Sequence, residues 1–129
     1  MAEGNISRAA LVLDAWAAIV RSGSTEAVAP LLREHVVWQG VLPEQVCRGR
    51  REVLSLLARR QSDPPPLTGL EANEVGECVV VSFEIAGAPD RLGEAGPRWI
   101  VLTFEGGKVV RMQSFADRDA AYRLARPAP

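Results

Sequence analysis

The fold is decided by residues 98–115, which read RWIVLTFEGGKVVRMQSF. Two runs rich in β-branched and aromatic residues, 98–104 and 108–115, flank a turn at 105–107. The paired glycines of this turn suit a primed hairpin, because glycine accepts the positive φ angles that such turns require. The stretch therefore predicts two antiparallel strands.

A second hairpin precedes the first. Residues 67–73 and 78–87 have strand composition and are joined by a turn at 75–77, so the two hairpins together predict a four-stranded antiparallel meander. The segment 88–97 between them is rich in glycine, proline and charge, and we predict a loop there.

Helical spacing dominates the first part of the chain. Ser7 is a good N-cap, and residues 8–22 place Val12, Trp16 and Ile19 at intervals that form one apolar face. We predict one α+β domain over residues 1–129, because helices gathered against a largely antiparallel sheet define that class. The other predicted elements are a short helix from Ser24 with a kink at Pro30, a strand over 35–42, a helix over 49–61 and a final helix over 117–124.

Composition argues against several kinds of partner. The chain has 129 residues and a formal net charge of −1, which provides no large basic field for nucleic acid or anionic lipid. No apolar run reaches the length that spans a bilayer, so we expect a cytoplasmic protein with no membrane partner. Cys47 and Cys78 lie in separate segments, and no phosphate loop, nucleophile elbow or HExxH motif occurs. We therefore predict no metal and no cofactor.

Three stretches in this order resemble a known family. They are the strand residues 36–40, the helix entry 47–50, and residues 107–112 leading to 115–117. Together they resemble the nuclear transport factor 2-like superfamily, in its bacterial SnoaL-like branch, over about residues 9–124. The resemblance implies a cone-shaped fold, in which a curved, mostly antiparallel sheet wraps on a long N-terminal helix with two to three further helices and encloses a pocket. It also implies a homodimer formed through the open face of the sheet.

This superfamily includes ketosteroid isomerases, polyketide cyclases, limonene epoxide hydrolases, dehydratases and inert binding proteins, so the fold fixes no function. The isomerase donor tyrosine falls on Trp16, its base on or next to Gly40, and its protonated acid near Ile100, and these residues cannot do that chemistry. No aspartate pair supports epoxide hydrolysis. The cyclase carboxylate falls at Asp117, which is our candidate catalytic residue; the alternative is that Asp117 only caps the last helix.

Four aromatic side chains are candidate ligand contacts. Trp16, Trp38 and Trp99 lie on segments expected to border the pocket, where indole offers a broad apolar wall and one N–H donor. His35 is the only histidine and a further candidate.

The last predicted strand contributes two more candidates, Gln113 and Phe115. Strict alternation would place them on one face with Val109 and Arg111, and would place Val110, Met112 and Ser114 on the other. The sequence leaves open which face looks into the pocket.

Three hypotheses follow. The first is a protein that binds a small, largely apolar molecule in a pocket. The second is a cofactor-free acid–base enzyme, of the cyclase, isomerase, hydrolase or dehydratase type, acting on such a molecule through Asp117. The third is a dimeric scaffold whose pocket is filled by its own side chains. An open cavity with Asp117 pointing inward favours the enzyme, and an open cavity with Asp117 capping a helix favours the binder. A filled cavity favours the scaffold.

Overall fold

The computed structural model describes residues 7–22, 24–59, 67–85 and 96–126. Its helices are α1 (Arg8–Ser22), a 3-10 turn (Ala29–Leu31), α2 (Arg50–Arg59) and α3 (Arg118–Ala125). Its strands are β1 (Leu32–Gln39), β2 (Val46–Arg48), β3 (Leu67–Val75), β4 (Cys78–Ile85), β5 (Gly96–Glu105) and β6 (Lys108–Phe115).

The strands form one six-stranded mixed sheet in the order β2-β1-β6-β5-β4-β3. Both predicted hairpins are confirmed as the antiparallel pairs β3–β4 and β5–β6. Gly106 and Gly107 have φ angles of 57° and 81°, as a primed turn requires. The pairing of β1 with β6 is parallel, and it places the first strand next to the edge strand β2. The α+β class is confirmed.

The predicted helix after Ser24 is wrong. Only a turn and the 3-10 helix Ala29–Leu31 occur there, because Pro30 has no N–H with which to continue a helical ladder. β1 consequently starts at Leu32, three residues before the predicted position. The structure also adds β2, a strand of three residues that is too short to show alternation in the sequence. Residues 88–95 of the predicted loop, and residues 86 and 87 of the predicted strand before it, lie outside the described residues, whereas Gly96 and Pro97 belong to β5.

α1 packs on one face of the sheet, called here the α1 face. Ser7 caps this helix as predicted, since its Oγ accepts the Ala10 N–H at 3.1 Å. No described helix is long and apolar enough to cross a membrane. Apolar side chains that are at most 8% exposed fill the space between the helices and the sheet, and they include Val12, Trp16, Ile19, Val36, Trp38, Leu57, Val79, Val81, Ile100, Leu102 and Met112.

α3 packs on the opposite face, called here the α3 face. Ala121 and Ala125 are buried against Val80 and Val101 of β4 and β5. Burying these small side chains brings the helix close to the sheet, and Asn73 Nδ2 of β3 donates to the Tyr122 hydroxyl at 3.2 Å. α3 therefore covers the sheet from β6 towards β3, and among the described residues no element covers β1 and β2 on this face.

Candidate functional site

A groove opens where the parallel strands β1 and β6 end. Gln39 and Gln113 form their last register pair. Beyond this pair the chain turns from β1 into the loop 40–45 and from β6 towards α3, so the two strands separate at their carboxyl ends. In open sheets such a divergence is where ligands bind. The groove has a volume of about 440 Å³, and its lining includes Gln39, Val41, Arg111, Gln113, Phe115 and Asp117.

A bulge in β6 decides which side chains reach the groove. On β5 the adjacent residues Thr103 and Phe104 pair with Arg111 and Val109 of β6. Val110 therefore has no partner of its own on β5 and forms the bulge. The strict alternation predicted for this strand is therefore wrong, because Val109 packs in the core on the α1 face. Arg111, Gln113 and Phe115 lie together on the α3 face, where Phe115 packs against the cluster under α3.

Gln39 is held by the loop that follows it. Its Nε2 lies 3.0 Å from the carbonyl oxygen of Leu42, 3.3 Å from those of Gly40 and Gln45, and 3.4 Å from that of Pro43. Only the amino group of the carboxamide can donate to carbonyl oxygens, so the amide orientation is fixed. Its Oε1 makes no hydrogen bond with the described part of the chain. The Oε1 of Gln39 is thus a hydrogen-bond acceptor whose position is fixed by the hydrogen bonds of the Nε2 of the same side chain.

The loop 40–45 packs too closely for any residue larger than glycine at its start. Gly40 N donates to the Gln45 carbonyl at 2.7 Å. A Cβ at Gly40 would lie 2.5 Å from Gln45 Oε1 and 2.7 Å from the Trp38 ring. Gln45 Oε1 in turn accepts the Leu42 N–H at 3.1 Å. The wall of the groove is therefore fixed to the core through Trp38.

Two polar side chains on the floor of the groove have no hydrogen-bond partner among the described residues. The half-buried Gln113 carboxamide and the exposed Arg111 guanidinium make no hydrogen bond or ion pair with any residue in the described ranges. Gln113 can both donate and accept, whereas Arg111 donates and is always charged. Together with the Oε1 of Gln39 they offer a ligand two donors and two acceptors across neighbouring strands.

Asp117 lies at the rim of the groove and caps α3. Its backbone is extended (φ −124°, ψ 124°), and its Oδ2 accepts the Ala120 N–H at 2.9 Å. This is the arrangement of a helix N-cap, which satisfies one of the free backbone donors of the first turn. The side chain is exposed, and its second oxygen is left for solvent or a ligand.

The structure separates the predicted site residues into groups. Gln113, Phe115 and Asp117 line the groove. Trp16 and Trp38 are 4% and 6% exposed in the core on the α1 face. Trp99 is half-buried in the cluster under α3, where it pairs with Phe115 across β5 and β6 without lining the groove. His35 is exposed on β1 and does not line the groove.

Sequence reasoning missed Gln39 and the loop that holds it. The available signal was a glutamine directly before Gly40 at the end of a strand, followed within six residues by Pro43 and Gln45. That signal is weak without the parallel pairing, because only the pairing places Gln39 beside Gln113.

No protein-family model matches the chain, and no curated protein matches it. Solved structures do match in fold. A putative SnoaL-like polyketide cyclase from Jannaschia sp. is 18% identical with a TM-score of 0.60, covering 97% of this chain and 99% of its own. A putative polyketide cyclase from Pseudomonas putida is 16% identical with a TM-score of 0.63, covering 94% and 99%.

A third match is a hypothetical protein from Catenulispora acidiphila with a ketosteroid isomerase-like fold, in complex with trimethylamine. It is 20% identical with a TM-score of 0.60, covering 92% of this chain and 97% of its own. At these identities the likeness concerns the fold. The chain has the nuclear transport factor 2-like fold, and the resemblance stated from the sequence is confirmed at that level.

Proposed function

We propose that this protein binds a small molecule in the groove at the carboxyl ends of β1 and β6. One observation carries the proposal: Gln39, Arg111 and Gln113, from strands far apart in sequence, direct unused hydrogen-bonding capacity to one concavity. Val41 and Phe115 add apolar walls beside them. A few convergent polar groups within apolar walls are typical of small-molecule sites.

The interior between α1 and the sheet is less well suited to a ligand. Trp16 and Trp38 are almost completely buried, and their described neighbours pack against them. A ligand there would have to displace core side chains, and repacking a close-packed core has a free-energy cost. We therefore prefer the groove to the interior pocket that the resemblance implies.

The acid–base enzyme is supported less well than the binder. Asp117 is committed to α3 through its hydrogen bond with Ala120, and it is exposed rather than enclosed by apolar walls. A general acid or base needs to reach the reacting proton in a water-poor site. Capping of α3 supports the binding function, in which Asp117 shapes the rim of the groove.

Self-association through the sheet is a second candidate. α3 covers the part of the face formed by β4 and β5, so a homodimer through this face would use the uncovered strip of β1 and β2. Sedimentation velocity tests it: a dimer supports the hypothesis, and a monomer throughout the accessible concentration range contradicts it.

A thermal-shift screen with neutral, cationic and anionic small molecules tests the binding function. A ligand at about 100 times its dissociation constant adds about 2.7 kcal/mol to the free energy of unfolding. We expect at least one class to raise the Tm of the wild type and to lose its effect in Gln113→Trp, which fills the groove.

Glu71→Trp is the matched control. Glu71 is an exposed residue of β3 on the same sheet, outside the groove lining, so this variant should respond to the ligand as the wild type does. A ligand that stabilises Gln113→Trp as strongly as the wild type binds elsewhere and contradicts the proposal.

A further inference from the structure

We propose, on the basis of the binding function above, that the groove takes an amphipathic oxyanion: a carboxylate or phosphate head group on a short apolar body. Arg111 holds the head group, and Arg48 assists from the edge of the sheet.

The register places the two arginines on one row of the α3 face. Val37 of β1 pairs with Arg48 of β2 on one side and with Arg111 of β6 on the other. Directly paired residues point to the same face, and adjacent strands are about 4.8 Å apart, so the two arginine Cα atoms lie about 10 Å apart across Val37. Two side chains of this length can approach one anion above Val37.

Neither guanidinium has an acidic partner in the part of the chain that the structure describes. The side chains of Arg48 and Arg111 form no ion pair or hydrogen bond with the described residues, although other arginines do: Arg8 pairs with Glu77 at 3.2 Å, and Arg33 donates to the Glu105 carbonyl at 2.8 Å. An arginine without a partner beside a groove is suited to planar carboxylate or phosphate groups, which its fork binds through two hydrogen bonds.

Two acidic groups nearby accept hydrogen bonds from backbone amides, and a third, Glu44, is exposed in the loop 40–45. Glu52 of α2 accepts the Arg48 N–H at 2.9 Å, and Asp117 accepts the Ala120 N–H at 2.9 Å. Neither of these two bonded carboxylates forms an ion pair with Arg48 or Arg111 within the described residues.

The apolar walls of the groove are suited to the apolar body of the proposed ligand. Val41 is 42% exposed, and it lines the groove together with Phe115. A short hydrocarbon or aromatic body between them would remove this apolar surface from water. A head group at Arg111 and an apolar body towards Val41 and Phe115 define the orientation of the ligand.

Calorimetric titration with octanoate, octyl phosphate, octanol and octylammonium tests the inference. We expect both anions to bind, with an affinity that falls as salt is added. Arg111→Gln should weaken octanoate binding about tenfold, because it removes a charge-assisted hydrogen bond. Arg48→Gln should weaken it less, because Arg48 lies outside the groove lining.

Arg51→Gln is the control, since Arg51 is an exposed arginine of α2 outside the groove. It should leave octanoate binding unchanged. The two anions distinguish the head groups, because the tighter one identifies the oxyanion that the arginines prefer. Octanol binding as tightly as octanoate, with no effect of Arg111→Gln, would overturn the oxyanion while leaving the binding function intact. If none of the probes binds, the inference is wrong, and the broader thermal-shift screen decides the binding function separately.

Discussion

Replacing Gln39 with glutamate should destabilise the fold far more than the same change at Gln113. The Gln39 amino group faces four carbonyl oxygens at 3.0–3.4 Å. Gln39→Glu removes two N–H donors, and each lost hydrogen bond lowers the free energy of unfolding by about 1 kcal/mol. Repulsion between the half-buried carboxylate and the same carbonyl oxygens lowers it by about 1 kcal/mol more. The expected loss in the free energy of unfolding is about 3 kcal/mol, or a fall in Tm of about 12 °C.

Gln113→Glu is the matched control, because Gln113 has no hydrogen bond to lose within the described chain and lies two residues from Arg111. Its free energy of unfolding should stay within about 0.5 kcal/mol of the wild type. Urea denaturation followed by tryptophan fluorescence measures both. The deficit of Gln39→Glu should shrink in acid, because a protonated carboxyl regains one O–H donor for a carbonyl oxygen. Equal stability of the two variants would refute the assigned role of Gln39.

Two further changes probe the walls of the groove. Gly40→Ala should lower the free energy of unfolding by about 2 kcal/mol, because the new methyl group overlaps Gln45 and the Trp38 ring. We expect a lowered Tm and a changed fluorescence emission of Trp38. A melting curve like that of the wild type would contradict the close packing. Asp117→Ala should cost about 1 kcal/mol through the lost cap on Ala120, whereas Asp117→Asn, which still caps, should melt close to the wild type. If Asp117→Asn is as unstable as Asp117→Ala, the cap is not what Asp117 contributes.

The sequence predicted those elements whose signals are local. The hairpins could be predicted because their turns have glycine at the positions that need positive φ. α1 could be predicted because its apolar spacing is regular over four turns. The prediction of a helix after Ser24 was wrong because it gave more weight to the apolar spacing than to the helix-breaking effect of Pro30.

The candidate site was only partly predictable, because it depends on long-range pairing. Gln113 and Phe115 were proposed as residues of the last strand, and Asp117 from the family resemblance, and the structure brings them together. Gln39 joins them through the parallel register of β1 with β6, which no local pattern encodes. The bulge at Val110 also has no sequence signal here, yet it decides that Arg111 faces the groove.

Amide-detected NMR of the labelled protein, titrated with octanoate or any stabilising compound from the screen, tests the central claim most directly. The account predicts that the side-chain amide of Gln113 and the backbone amides of the loop 40–45 and of Asp117 shift together, while the indole N–H signals of Trp16 and Trp38 stay in place. Shifts at those two indoles with an unchanged Gln113 amide would contradict it, and would place the ligand between α1 and the sheet instead.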